Sequence, residues 1–149
     1  VTFQEGRGAP AGISMATLAP LNEHADDGVR YFSGTAIYTT SFEVSADTLA
    51  SATLSLDLGH VADVAEVFIN GQPAGITWFA PDRVNVAGLL QPGTNELEVR
   101  VANRWINRLI GDRQEGMEPV TFTAAPTYYP DAELRPSGLI GPVQLLISE

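Results

Sequence analysis

The chain has 149 residues and a net charge of −10, from 18 Asp plus Glu against 8 basic residues, every one of which is Arg. A chain of this length fits one domain with a sizeable core, and 44% hydrophobic with 17% charged residues excludes a disordered segment or a coiled coil. A negative field repels phosphate backbones and anionic lipid, which sets aside nucleic acid and membranes as partners, and the absence of Cys excludes disulfides, thiolate metal sites and Cys nucleophiles.

In chain order, Glu5 to Asp27 is rich in Gly, Ala and Pro and predicts an irregular lead-in over about residues 1–30. Ala36, Tyr38, Phe42 and Val44 then alternate with Thr39, Ser41 and Glu43, the period of a half-buried strand. Ala46 to Ala50 is the best short helix. Leu54, Leu56 and Leu58 alternate with Thr53, Ser55 and Asp57. Val64 to Ile69 and Gln72 to Trp78 flank Asn70-Gly71, a pair suited to a type I′ hairpin turn because both central residues need positive φ. Gln91 to Asn95 is a second turn, leading into Leu97, Val99 and Val101. Arg104 to Pro119 reads as a long connection carrying the apolar islands Ile106 and Leu109-Ile110. Ala124 to Gly138 is a second long loop, with Pro126, Pro130 and Pro136. Val143, Leu145 and Ile147 form the last strand. Short strands separated by turn signals predict an all-β antiparallel sandwich, one domain over residues 1–149. No apolar run approaches the roughly 20 residues of a membrane helix.

Catalytic patterns are weak. Gly12-Ile13-Ser14-Met15-Ala16 lacks the last Gly of a nucleophile elbow and follows no strand. His24 and His60 stand alone, without a second ligand at metal spacing. Asp57 with Asp63, Asp26 with Asp27, and Asp131 with Glu133 are pairs of the kind that bind Ca²⁺ or act as glycosidase carboxylates, though spacing does not separate them from solvated loop charge. No catalytic residue is assigned and no cofactor is required; a structural Ca²⁺ is the one metal considered.

Two segments concentrate the groups that recognise sugars, aromatic faces beside planar amides and guanidinium groups. One is Asn103-Arg104-Trp105-Ile106-Asn107-Arg108-Leu109-Ile110-Gly111-Asp112. The other is Trp78-Phe79-Ala80-Pro81-Asp82-Arg83. The candidate carbohydrate contacts are Trp78 or Trp105 for stacking, with Arg83, Asn107, Arg108 and Asp112 for hydrogen bonds. The bland alternative makes both Trp residues packing groups and Arg108–Asp112 a buried ion pair that pins its loop.

Tyr31 to Tyr38, Leu56 to Val67, and the hairpin Glu66-Val67-Phe68-Ile69-Asn70-Gly71-Gln72-Pro73-Ala74-Gly75 resemble the sugar-binding domain of the glycoside hydrolase 2 clan. Pro92 to Val101 fits the same pattern. The run Asn103 to Asp112, with Pro136 to Val143, is similar to the C-terminal β-sandwich of α-L-rhamnosidases of glycoside hydrolase family 106. The likeness extends from about Tyr31 to Leu146. It implies a galactose-binding-like jelly roll whose catalytic carboxylates belong to a separate domain. The chain opens at Val1 without an initiator Met, and the expectation is a domain excised from a larger glycoside hydrolase.

The resemblance implies a non-catalytic carbohydrate-binding or accessory domain from a polysaccharide-degrading enzyme. Its partners would be the parent's catalytic domain and a rhamnose- or galactose-containing plant polysaccharide. Export to the periplasm or beyond suits that role. The alternative is a structural domain that docks on the catalytic domain and binds no sugar, anchored by Leu109-Ile110 and Tyr128-Tyr129.

Overall fold

The computed structural model describes residues 1–50 and 53–148. Ten strands follow in chain order: β1 (Thr2–Phe3), β2 (Gly34–Val44), β3 (Thr53–Asp57), β4 (His60–Val61), β5 (Val64–Ile69), β6 (Gln72–Thr77), β7 (Arg83–Asn85), β8 (Gly93–Asn103), β9 (Leu139–Gly141) and β10 (Gln144–Ser148). The short helices α1 (Asp27–Arg30), α2 (Ala46–Leu49) and α3 (Ile106–Gly111) interrupt them. The larger sheet has the order β1-β2-β8-β5-β6, a second has β10-β3-β7, and β4 pairs with β9. Among the described residues every strand pair is antiparallel, so the chain is an all-β sandwich.

The period-two pattern explains the core. Ala36 and Tyr38 of β2, Leu97, Val99 and Val101 of β8, and Ala65, Val67 and Ile69 of β5 are buried on one face of the large sheet. They meet Leu54 and Leu56 of β3 and Val84 of β7 in one cluster. Strands β2 and β8 pair from Gly34↔Asn103 to Val44↔Gly93 and form the spine. The β5–β6 turn has φ of 52° at Asn70 and 76° at Gly71, as a type I′ turn requires. Asn70 also ties the hairpin to the sheet: its amide donates to Leu89 O and Asn95 Oδ1, and its Oδ1 accepts from the Glu96 N–H at 2.9 Å. Ser45 caps α2 by accepting from the Thr48 N–H.

Three features depart from the sequence reading. The lead-in is not wholly irregular: β1 pairs with β2, and Leu21 and Val29 are fully buried. The connection after β8 begins with α3, whose six residues are too few for a repeating helical stripe. Strands β4, β7 and β9 have two or three residues each, too short to show alternation.

Candidate functional site

Strands β6 and β8 leave the large sheet at the end where β5 enters it, since Val64 lies opposite Ala102 and Ala65 opposite Thr77. Both sugar-like segments therefore start from one rim, one continuing β8 and the other continuing β6. They differ in where their side chains go.

After β8, α3 turns its polar groups inward. Asn107 is 3% exposed. Its Nδ2 donates to Arg135 O at 2.7 Å and Ser137 Oγ at 3.4 Å, and its Oδ1 accepts from the Arg135 N–H at 2.8 Å. Arg108 is 1% exposed, and its Nε donates to Asp112 Oδ1 at 2.8 Å. The guanidinium lies 6.0 Å from the centre of the Tyr31 ring. It fits only because glycines flank it: a Cβ at Gly111 would stand 2.8 Å from Nη2, and one at Gly8 3.0 Å from Nη1. Asp112 Oδ1 also accepts from the Val120 N–H at 3.1 Å. Its Oδ2 accepts from the Thr121 N–H at 2.8 Å and from the Thr121 hydroxyl. Burial pushes the Asp112 carboxyl up, but the donors on Thr121, Val120 and Arg108 outweigh it and hold the group below its usual range.

These placements correct the sequence reading. Asn107, Arg108 and Asp112 do not project from a loop toward a ligand; they lie under it and fasten residues 120–121 and 135–137 to the sandwich. The spacing of Arg108 and Asp112 by four is the signal that pointed to this alternative. Ile110 is likewise no docking anchor, being 1% exposed in the interior.

Trp105 remains at the surface, 45% exposed, with the Arg7 guanidinium 4.7 Å from its ring centre. Its neighbour Arg104 pairs with Asp63, which also accepts from the Arg104 N–H. On the same rim Trp78 and Phe79 are each 69% exposed, their ring centres 6.3 Å apart. Val64 and Ile76 extend this apolar surface along β5 and β6. The aromatic pair is held from beneath by a residue the sequence reading did not single out. Asp82 is buried; its Oδ1 accepts from the Thr77 hydroxyl at 2.7 Å and its Oδ2 from the Val61 N–H. An Asp four residues after an exposed Trp was visible, but its inward direction was not.

Arg83 begins β7 on the smaller sheet and lies opposite Asp57, to which its Nε donates at 2.6 Å. The Gly59 N–H and then Arg83 hold the Asp57 carboxyl below its ordinary range. Four of the carboxylates considered for Ca²⁺ are separately engaged: Asp57 with Arg83, Asp63 with Arg104, Asp27 with Arg30, and Asp26 as the α1 cap. Among the described residues no group of three or more His, Asp or Glu side chains could hold a metal ion. Around the second loop, Tyr129 is 74% exposed while Tyr128 lines a cavity of about 200 Å³ with Leu109 and Phe122.

A family profile described as glycosyl hydrolase 2 galactose-binding domain-like matches residues 17–132. A rhamnosidase from Novosphingobium sp. PP1Y is 52% identical and superposes with a TM-score of 0.92, covering 97% of this chain and 14% of that one. A Formosa agariphila protein bearing the name of a β-glucuronidase is 40% identical over 145 aligned residues, covering 80% of this chain and 12% of the relative. The β-glucuronidase of Bifidobacterium dentium is 31% identical with a TM-score of 0.57, covering 64% of this chain and 16% of that one. The chain thus spans about one sixth or less of the length of these relatives.

Proposed function

From the premise that this chain belongs to the glycosyl hydrolase 2 galactose-binding domain-like family, we propose that it serves a rhamnosidase-type glycoside hydrolase as a docking sandwich, packed on the catalytic domain through the Trp78–Phe79 rim. The fold itself is an accessory one, covering a small fraction of hydrolase relatives. The observation that carries the docking reading is the pair of large aromatic side chains, each 69% exposed, on a loop pinned by Asp82. A loop anchored by a buried carboxylate and presenting clustered aromatic surface has the make-up of an interface. The likeness to the Novosphingobium rhamnosidase, at 52% identity over 97% of the chain, supports a rhamnosidase-type parent.

The test is association in trans. The 149-residue chain is mixed with its parent enzyme lacking this domain, and binding is followed by calorimetry. Micromolar association that weakens about 30-fold in a Trp78→Ser/Phe79→Ser variant, the scale of a large aromatic anchor, supports docking. Unchanged association in that variant overturns it.

Carbohydrate binding is the second reading, favoured by the openness of the Trp78 ring with Arg83 nearby in the chain. Its test is a titration of the chain with rhamnose, galactose and rhamnose-containing pectic oligosaccharides, followed by Trp fluorescence and heat. A saturable signal removed by Trp78→Ala would establish it; no signal at millimolar sugar would sink it.

A further inference from the structure

The loop that follows α3 folds back over the end of that helix and leaves a hollow beneath it. This cavity of about 200 Å³ lies between Leu109 and Arg113 on one side and Phe122, Thr123 and Tyr128 on the other. It is smaller than the roughly 300–1,000 Å³ of pockets for drug-sized ligands, so it has room for one small ring and not for a chain. Its walls are fastened from below. Asp112 accepts from the Val120 and Thr121 N–H groups, and the Gln114 amide donates to Pro130 O at 2.8 Å. The loop is thus tied down on both sides of Phe122 and Tyr128, and a pre-formed cavity has little ordering left to do on binding.

The lining combines an apolar face, free hydroxyls and one cation. Tyr128 and Leu109 are half-buried there, and Phe122 stands at the mouth, 92% exposed. Aromatic rings of this kind pack on the C–H face of a pyranose. The half-buried Thr123 hydroxyl makes no hydrogen bond among the described residues, and that of Thr127 reaches only Ala125 O, at 3.4 Å. Charge then selects the ring. Among the described residues Arg30, Arg83, Arg100, Arg104 and Arg108 are in ion pairs, and Arg7 lies over Trp105. Arg113 has neither kind of partner and lines the cavity. Asp112, the one carboxylate of the lining, is answered by Arg108 at 2.8 Å. The cavity therefore has the charge of Arg113, in a chain whose net charge is −10.

We propose that this cavity binds a single hexuronate ring, a pyranose that carries a carboxylate. The carboxylate pairs with the planar fork of Arg113. The apolar face of the ring lies on Tyr128, and Thr123 and Thr127 bond its hydroxyls. A neutral hexose would leave Arg113 without a partner, and a small inorganic anion would leave the aromatic wall bare. The site shares no residue with the Trp78–Phe79 rim and stands whether or not the rim docks.

The experiment titrates the 149-residue chain with the methyl glycosides of galacturonic and glucuronic acid, at fixed ionic strength. The matched neutral probes are methyl galactoside and methyl glucoside, which carry a hydroxymethyl group in place of the carboxylate. Amide NMR shifts locate binding and calorimetry measures it. Saturable shifts at Arg113, Thr123 and Tyr128, with a hexuronate bound about tenfold tighter than its neutral match, support the proposal. Arg113→Gln should erase that preference, and Tyr128→Ala should weaken binding while the β2 and β8 signals stay in place. No shift up to about 20 mM hexuronate overturns the proposal, and so does equal affinity for the neutral match. Acetate that gives the same shifts at the same affinity also overturns it, because the ring would then go unrecognised. Hexuronate shifts lost in Trp78→Ala but kept in Arg113→Gln overturn it in favour of the rim. The docking proposal fails on a different readout, association in trans, so the two results are separable.

Discussion

The segments after β6 and after β8 contain nearly the same chemistry and have opposite fates. Each follows a strand from one end of the large sheet, and each offers Trp, Arg and Asp within a few residues. After β8, the six-residue helix α3 rolls Asn107, Arg108 and Asp112 beneath the chain, where four donors converge on one carboxylate. After β6, only Asp82 turns inward, and Trp78 and Phe79 remain outside. Buried polar groups without partners cost stability, and Arg108 Nη1 and Nη2 have none among the described residues. The first segment organises the loop above it through Asp112, both of whose oxygens are bonded. In the second, a single buried carboxylate positions a surface. The comparison teaches that sugar-like composition marks a site only where the backbone leaves the side chains facing out.

The largest expected effect breaks the knot after β8. Asp112→Ala leaves the Arg108 guanidinium buried without its counter-charge, which costs about 3–5 kcal/mol for a pair of this kind. Equilibrium denaturation should show it, and a loss below about 1 kcal/mol would return Arg108 and Asp112 to the list of free ligand groups. The pH dependence has a defined sign. The folded Asp112 carboxyl titrates below its unfolded value, so its contribution is present above the unfolded pKa of about 3.9 and is lost as pH falls through the folded one. The gap between the parent chain and Asp112→Asn should accordingly narrow below about pH 4. A gap that stays constant down to pH 2 would contradict the depressed titration.

The rim should behave in the reverse way. Trp78→Ser/Phe79→Ser removes side chains that contribute little to the isolated fold, so unfolding should change by no more than about 0.5 kcal/mol. Association with the parent should weaken by about 2 kcal/mol or more. A large loss of stability with intact association would make the two aromatics packing groups. Between these extremes stands Thr77→Val, which removes the hydroxyl from buried Asp82 at nearly constant shape. It should cost about 1–3 kcal/mol, the penalty for an unsatisfied buried acceptor, measured by thermal or chemical unfolding.

The ease of reading the sequence followed the length of each pattern. Strands β2 and β8, eleven residues each, and the β5–β6 hairpin with its Asn-Gly turn repeat their alternation often enough to be seen. The two-residue β1 and β4 do not repeat at all, and α3 ends before a helical stripe can form. For the candidate site, composition picked out two segments that leave one end of the sandwich but not the direction of their side chains. That direction at Asn107 and Arg108 depends on contacts with Arg135, Ser137 and Gly8, all distant in sequence. Asp82 was hidden for a related reason, since its partner Val61 lies 21 residues earlier in the chain.

Trp105 lies between the two regimes and gives the smallest effect. It is 45% exposed, and Arg7 from the lead-in covers its ring. If the contact between Arg7 and Trp105 serves to fasten the lead-in, the two side chains should couple energetically, by about 0.5–1 kcal/mol for a cation–π contact at an exposed position. A double-mutant cycle of Arg7→Ala and Trp105→Ala measures that coupling directly. Coupling of this size places Trp105 with the knot below it, as part of what holds the chain end against the sandwich. Coupling below about 0.2 kcal/mol would instead make Arg7 an easily displaced cover. Trp105 would then join Trp78 and Phe79 on the outward surface, and the rim available to a partner would extend from β6 across β5 to the end of β8.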